Sequence, residues 1–238
     1  MKKRYCAIAL CLAAAAIAVG LFAPRLIWQL EARQREKPKQ LESSSVSLNA
    51  VQQLSLAARY LAINSYTEEF TFQAGHSMTM QEAQQTAATF LTQAFGAQEL
   101  QNIMTEPVIT VFDEQFLCGW RYDAEFTIQE WHFTANCYLD DSTGAILMFF
   151  LYGGDDGAMA LLENVAVDGL EDALDQLCQA LEQTAGSGSF TVEATDILPE
   201  GVDPDFGFNV ATLRYTDANG ESAPISLNFS GDALFFNS

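Results

Sequence analysis

Beyond residue 39 the chain has no lysine, and beyond residue 40 its only basic side chains apart from histidine are Arg59, Arg121 and Arg214. Residues 41–238 set 29 acids against those three arginines, a net charge of −26 at neutral pH. A field of that sign repels phosphate backbones and excludes nucleic acid as a partner. It speaks first to solubility and only then to a cationic partner. Histidine is nearly as scarce, His76 and His132 being the two imidazoles in 238 residues. His132 falls on the polar side of an expected strand and His76 in a loop. A usable base must also reach a nucleophile or a substrate proton, so both are read as ordinary surface residues. No Walker loop, dinucleotide fingerprint, HExxH, CxxC or G-x-S-x-G motif is present. The nucleotide, zinc-protease, redox and serine-hydrolase classes served by those spacings therefore find no support, and no cofactor or metal is expected. Cysteine is sparse too: Cys6 and Cys11 lie in an N-terminal apolar stretch, and the odd remainder argues against a disulfide framework. Within that remainder, Cys118 and Cys137 fall on adjacent expected strands and make one candidate disulfide pair. Cys178 sits on an apolar helix stripe and reads as a small buried hydrophobe.

The basic residues that exist are gathered at the N-terminus. Lys2, Lys3 and Arg4 precede an uncharged stretch from Tyr5 to Phe22, whose 18 residues would span roughly 27 Å as a helix, close to the depth of a bilayer core. Cleavage after Ala23 would leave Leu21 and Pro24 where a processing site wants small residues, so an uncleaved anchor is expected over residues 1–30. A bulky Leu10 before Cys11 disfavours lipidation. The basic head before the apolar stretch points to a cytoplasmic N-terminus, with the rest of a single-pass protein extracytoplasmic. Arg25 to Lys39 reads as a solvated stalk, Pro38 and Ser43 to Ser45 as a linker. Leu48, Val51, Leu54, Ala58 and Leu61 then recur at spacings of three and four, predicting an amphipathic helix from Ser47 to Ile63. Residues 31–63 are accordingly taken as basic linker plus helix.

From there the chain reads as α+β, with two similar runs in tandem, at 64–157 and 158–238. In the first, Phe70 and Phe72 mark a short strand. Thr79-Met80-Gln81-Glu82 is a capping box, and Met80, Ala83, Ala87, Phe90, Leu91 and Ala94 form one apolar stripe ended by Gly96. Strands follow at 103–112 and 117–128. Trp131, Phe133, Ala135, Cys137 and Leu139 then alternate with polar residues at period two. Asp140 to Gly144 supplies turn chemistry, and Ala145 to Leu151 returns as an apolar run suited to a strand covered on both faces. After a connection beginning at Gly153 to Gly157, Asp168 to Glu171 again resembles a capping box, and Leu170, Leu174, Leu177, Cys178 and Leu181 repeat the stripe. Strands at 190–197, 206–216 and 223–229 follow, with Asn219-Gly220 as a hairpin turn. Ser230 to Asp232 then turns into Ala233 to Phe236. Gly144 follows Thr79 by 65 positions and Gly231 follows Asp168 by 63, in the same element order, the mark of a tandem pair.

Tyr138-Leu139-Asp140-Asp141-Ser142-Thr143-Gly144-Ala145-Ile146-Leu147, together with Gln81-Glu82-Ala83 at the helix start, resembles PepSY-like domains. Their final hairpin reads roughly V-D-x-x-T-G-x-I. The corresponding Asn228-Phe229-Ser230-Gly231-Asp232 lacks the Asp and Thr of that turn. The resemblance implies a cystatin-like fold, a helix packed on a curved antiparallel sheet, and binding or inhibition in place of catalysis. One anchor followed by two such domains is similar to small envelope regulators of Gram-positive bacteria that act near cell-wall enzymes or sensor kinases. The expected function is thus a non-enzymatic, membrane-anchored protein-binding or regulatory module, with an envelope or membrane protein as partner. Two alternatives use the acids. Carboxylate pairs could serve a hydrolase, and Asp140-Asp141, Asp155-Asp156 or Asp203-Pro204-Asp205 could make a cation-responsive surface module, although none has calcium-loop spacing.

Overall fold

The computed structural model describes residues 54–63, 68–71, 77–112, 115–167, 170–195, 208–230 and 232–237. The chain divides into two units, Met1–Val46 and Ser47–Ser238, and every described residue belongs to the second. The expected membrane segment, the basic stalk, Cys6, Cys11, His76 and the Asp203–Asp205 loop lie outside the described residues. Among those described, no helix is long and apolar enough to cross a membrane.

Helix α1 (Leu56–Ile63) is followed by strand β1 (Glu68–Thr71), helix α2 (Met80–Phe95) and four strands: β2 (Gln98–Phe112), β3 (Gln115–Ile128), β4 (Trp131–Asp140) and β5 (Ile146–Gly153). Helices α3 (Asp156–Val167) and α4 (Leu170–Ala185) come next, then β6 (Ser189–Thr195), β7 (Phe208–Thr216), β8 (Ser222–Ser230) and β9 (Ala233–Asn237). The fold is α+β, as the element pattern implies. The described strands form one antiparallel sheet of nine, in the order β1-β2-β3-β4-β5-β9-β8-β7-β6. Each expected helix-then-strands run is present, and the two run together where β9 pairs with β5, Phe149 opposite Phe236 and Leu151 opposite Leu234.

Local chemistry explains the elements. The Thr79 hydroxyl accepts the Glu82 N–H at 3.2 Å while the Glu82 carboxylate accepts the Thr79 N–H at 2.8 Å, completing the capping box. Gly96 ends α2 in the left-handed region, at φ 69°. In the β7–β8 turn the Asp217 carboxylate accepts from the Asn219 and Glu221 N–H groups, and Gly220 takes φ 84°.

Three expectations about buried faces are corrected. Helix α1 buries Leu56, Tyr60 and Ile63 and exposes Leu61, because the i, i+4, i+7 row holding the larger ring is the one turned to the core. Met80 is the first residue of α2 and is exposed, the buried stripe beginning at Ala83. Strand β5 is covered on both faces only at its start, where Ile146 and Leu147 are buried; beyond it Phe149 and Leu151 stay buried, whereas Met148 and Phe150 are half-buried and Tyr152 is exposed. Two further differences concern extent. Strand β2 begins at Gln98, passing two register shifts where Glu99 and Asn102 adopt positive φ, irregularities that a period-two pattern does not register. Part of the expected connection after Gly153 is the helix α3.

The helices share one face of the sheet. Phe90 of α2 meets Phe149, and Tyr60 of α1 meets Phe190, Tyr215 and Phe236, with ring centroids 5.0–6.3 Å apart. Phe149 and Phe236 stack at 5.4 Å across the β5–β9 junction, so one aromatic core runs under both halves.

Candidate functional site

Three places concentrate chemistry or unfilled apolar surface, and the first is the β4–β5 turn. Asp140 donates its N–H to the Ala145 carbonyl and accepts the Gly144 N–H at its own, with Gly144 at φ 79°. Its carboxylate is 2.7 Å from the Arg59 guanidinium. It also accepts the hydroxyls of Ser142 and Thr143, each at 2.7 Å, and both of their backbone N–H groups. Arg59 in turn donates to Ser142 Oγ and to the Leu54 carbonyl. The Asp141 carboxylate accepts the N–H groups of Ser77 and Met78 and the Trp120 indole N–H, the last at 2.9 Å. Arg59, Asp140 and Asp141 are 7%, 1% and 4% exposed. Burial of charge at this depth is tolerable only with such pairing. Turned inward and saturated with donors, the two carboxylates tie α1, the approach to α2 and β3 to one hairpin. Sequence reasoning found the turn but missed Arg59, whose partner lies 81 residues away. The available signal was an arginine beside Tyr60 on an otherwise apolar helix.

The second place is the sheet face opposite the helices. Phe150 stacks on Phe235 at 5.6 Å across the β5–β9 junction and on Tyr152 at 6.2 Å along its own strand. Alternation puts these rings on the side away from Phe149 and Phe236. Met148 continues the strip, and Asn136, opposite Phe150, donates to the Asp123 carboxylate beside it. Burial, and then the nearby Asp232 carboxylate, raises the Tyr152 phenol above its ordinary value.

Between α2, α3, α4 and the sheet lies the third, a cavity of about 230 Å³. Its floor is Phe133, Leu151, Leu174, Leu177, Leu227 and Leu234, all buried. Among its described lining residues the polar ones are Gln129 and Gln176, both exposed.

The remaining sequence candidates are dispersed. Cys118 and Cys137 do lie on neighbouring strands, but Cys137 stands opposite Tyr122, four residues from Cys118. That offset is roughly 13 Å along the strand, about twice the reach of a disulfide. The two sulfurs are free thiols, so no bridge forms between them. Burial pushes the Cys137 thiol up strongly and that of Cys178 to about 11, the latter helped by Glu182 and Asp175. His132 is exposed, and its backbone N–H is received by the Asp155 carboxylate. Asp155 also receives the Ala158 N–H at 2.8 Å, capping α3, and this bond is the main reason its carboxyl is held below its ordinary value. Asp156 is exposed in the first turn of α3. Among the described residues no group of three or more His, Cys, Asp or Glu is placed to hold a metal ion. Compared with protein-family models, with curated proteins and with solved structures, the chain matches none.

Proposed function

We propose that the chain is a membrane-anchored, extracytoplasmic protein-binding module of a bacterial envelope, built from two PepSY-like halves and acting by docking instead of catalysis. The observation that carries this reading is the outward face of β5 and β9. Its sequence has the composition of a strand buried on both sides, yet Met148, Phe150, Tyr152 and Phe235 face away from the helix layer and keep part of their surface open. Contiguous apolar surface at the centre of a rigid sheet is how partner sites are built, with aromatic anchors inside a polar rim. The Asp140–Asp141 pair supports the same reading from the other side, since its oxygens already receive protein donors and hold the fold together. The anchor and the orientation of the acidic region rest on the sequence alone.

A photoreactive phenylalanine at position 152, irradiated in intact cells of the source organism, tests it. A discrete adduct with one envelope protein is expected, abolished by Phe235→Asp on the same face. Absence of any adduct, or one that survives Phe235→Asp, would refute docking through this strip. External protease digesting residues 41–238 on intact cells is the expected result for topology.

A further inference from the structure

The cavity between α2, α3, α4 and the sheet lies on the opposite side of the molecule from the aromatic strip and is independent of the docking reading. Interiors pack like organic crystals, whereas here a partly open recess of about 230 Å³ lies between the helices and the sheet. Apolar spaces of this size take apolar guests, benzene being the guest of an enclosed engineered cavity of roughly 150 Å³. By that scale the space here suits about nine carbons. Leucines from α3, α4, β5, β8 and β9 line it, together with Phe95, Ile128, Gln129 and Gln176. Charge decides what can stand at the entrance. Among the described lining residues none is ionisable, so none of them answers a carboxylate or a phosphate, and the surrounding excess of acids repels both. The two glutamine amides can donate to a hydroxyl or an ester and accept from a hydroxyl.

We infer that this cavity binds one single-chain amphiphile with an uncharged head, its alkyl chain lying among Leu151, Leu174, Leu177 and Leu234 and its head at Gln129 and Gln176. The class includes a fatty alcohol or a monoacylglycerol.

The test uses the full chain in phosphatidylcholine nanodiscs, with leucine methyls labelled with carbon-13, titrated with 1-nonanol and separately with nonanoate. Saturable shifts are expected at Leu151, Leu174, Leu177 and Leu234, with Leu139 and Leu213 as stationary references. Nonanoate should bind at least about tenfold more weakly, since its charge finds no partner. Leu177→Trp, which fills the cavity, should abolish the shifts. If that variant loses the native methyl spectrum, Ala173→Phe at the lining should weaken binding at least about tenfold without touching the floor. Absence of saturable shifts, equal binding of nonanoate, or undiminished binding by the filled variant would each overturn the inference. Spin-labelled phosphatidylcholine in the discs supplies a further arm: broadening of the cavity methyls would show a tail drawn from the bilayer, and would overturn the assignment to a single-chain guest.

Discussion

The two hairpins β4–β5 and β8–β9, each closing a run of a helix followed by strands, are held by different physics. At the first, a buried arginine and two buried aspartates fix the turn and pull three separate segments onto it. The second has Ser230 and Asp232 at the equivalent turn, with Asp232 exposed, and its half is held by rings: Phe190, Tyr215 and Phe236 around Tyr60. Helix α1 joins the two modes in consecutive residues, Arg59 reaching the ionic node and Tyr60 the aromatic one. A polar node fixes geometry because each donor has one acceptor at one distance, whereas an apolar cluster tolerates rearrangement at constant volume. The first half therefore has the better-defined turn, and the second the more adaptable core.

The sharpest way to break this contrast is to remove one carboxylate from each turn. Asp140→Ala leaves Arg59 buried without its partner and is expected to cost about 3–5 kcal/mol in urea unfolding. Asp232→Ala, at the exposed equivalent, should stay within about 0.5 kcal/mol. Phe236→Ala opens a cavity where the two halves meet and should cost about 3 kcal/mol, with a broad effect on hydrogen exchange in both halves. Trp120→Phe keeps the ring but leaves Asp141 short of a donor, for about 1–2 kcal/mol, and protection should fall around Ser77 and Met78. Thr79→Ala removes the α2 cap at about 1 kcal/mol, measurable as local exchange in the first turn. Alkaline titration applies to both halves. Burial raises Cys178 from 9.0 to about 11 and Tyr122 from 10.0 to about 12. The unfolded chain gives up those protons first, so their contribution is intact below pH 9 and is lost as pH rises through 11 and then 12. Cys178→Ala should flatten the first part of that decline in the urea midpoint.

Much of this architecture could be read from sequence because it is local. The capping box of α2, its glycine stop, the Asp140–Gly144 turn, the Asn219-Gly220 hairpin and the alternation along β4 all depend on residues within a few positions of one another. The features that distinguish the site are non-local. Arg59 and Asp140 carry no mutual signal in the sequence, and only the register shows that Cys118 and Cys137 miss each other. The apolar run of β5 suggested cover on both faces because composition reports apolarity and not what lies above it. That same ambiguity is what draws attention to Phe150 and Tyr152 once the sheet is seen. The joining of β5 to β9 was equally hidden, since two tandem runs fit two separate sheets as well as one.

The position of β9 in that sheet has a consequence for the order of events during folding. It is the last of the described strands, yet it sits between β5 and β8, and through it the two halves become hydrogen-bonded to one another. A growing or translocating chain can form β1 to β5 early, but β5 then waits with an open, apolar edge while more than 80 residues are delivered. Closure pays a large loop-entropy cost late and in one step. Until then, the nascent protein presents its future centre as a strand edge to any neighbour, so the pace at which its C-terminal segment arrives sets how long it is exposed to mispairing.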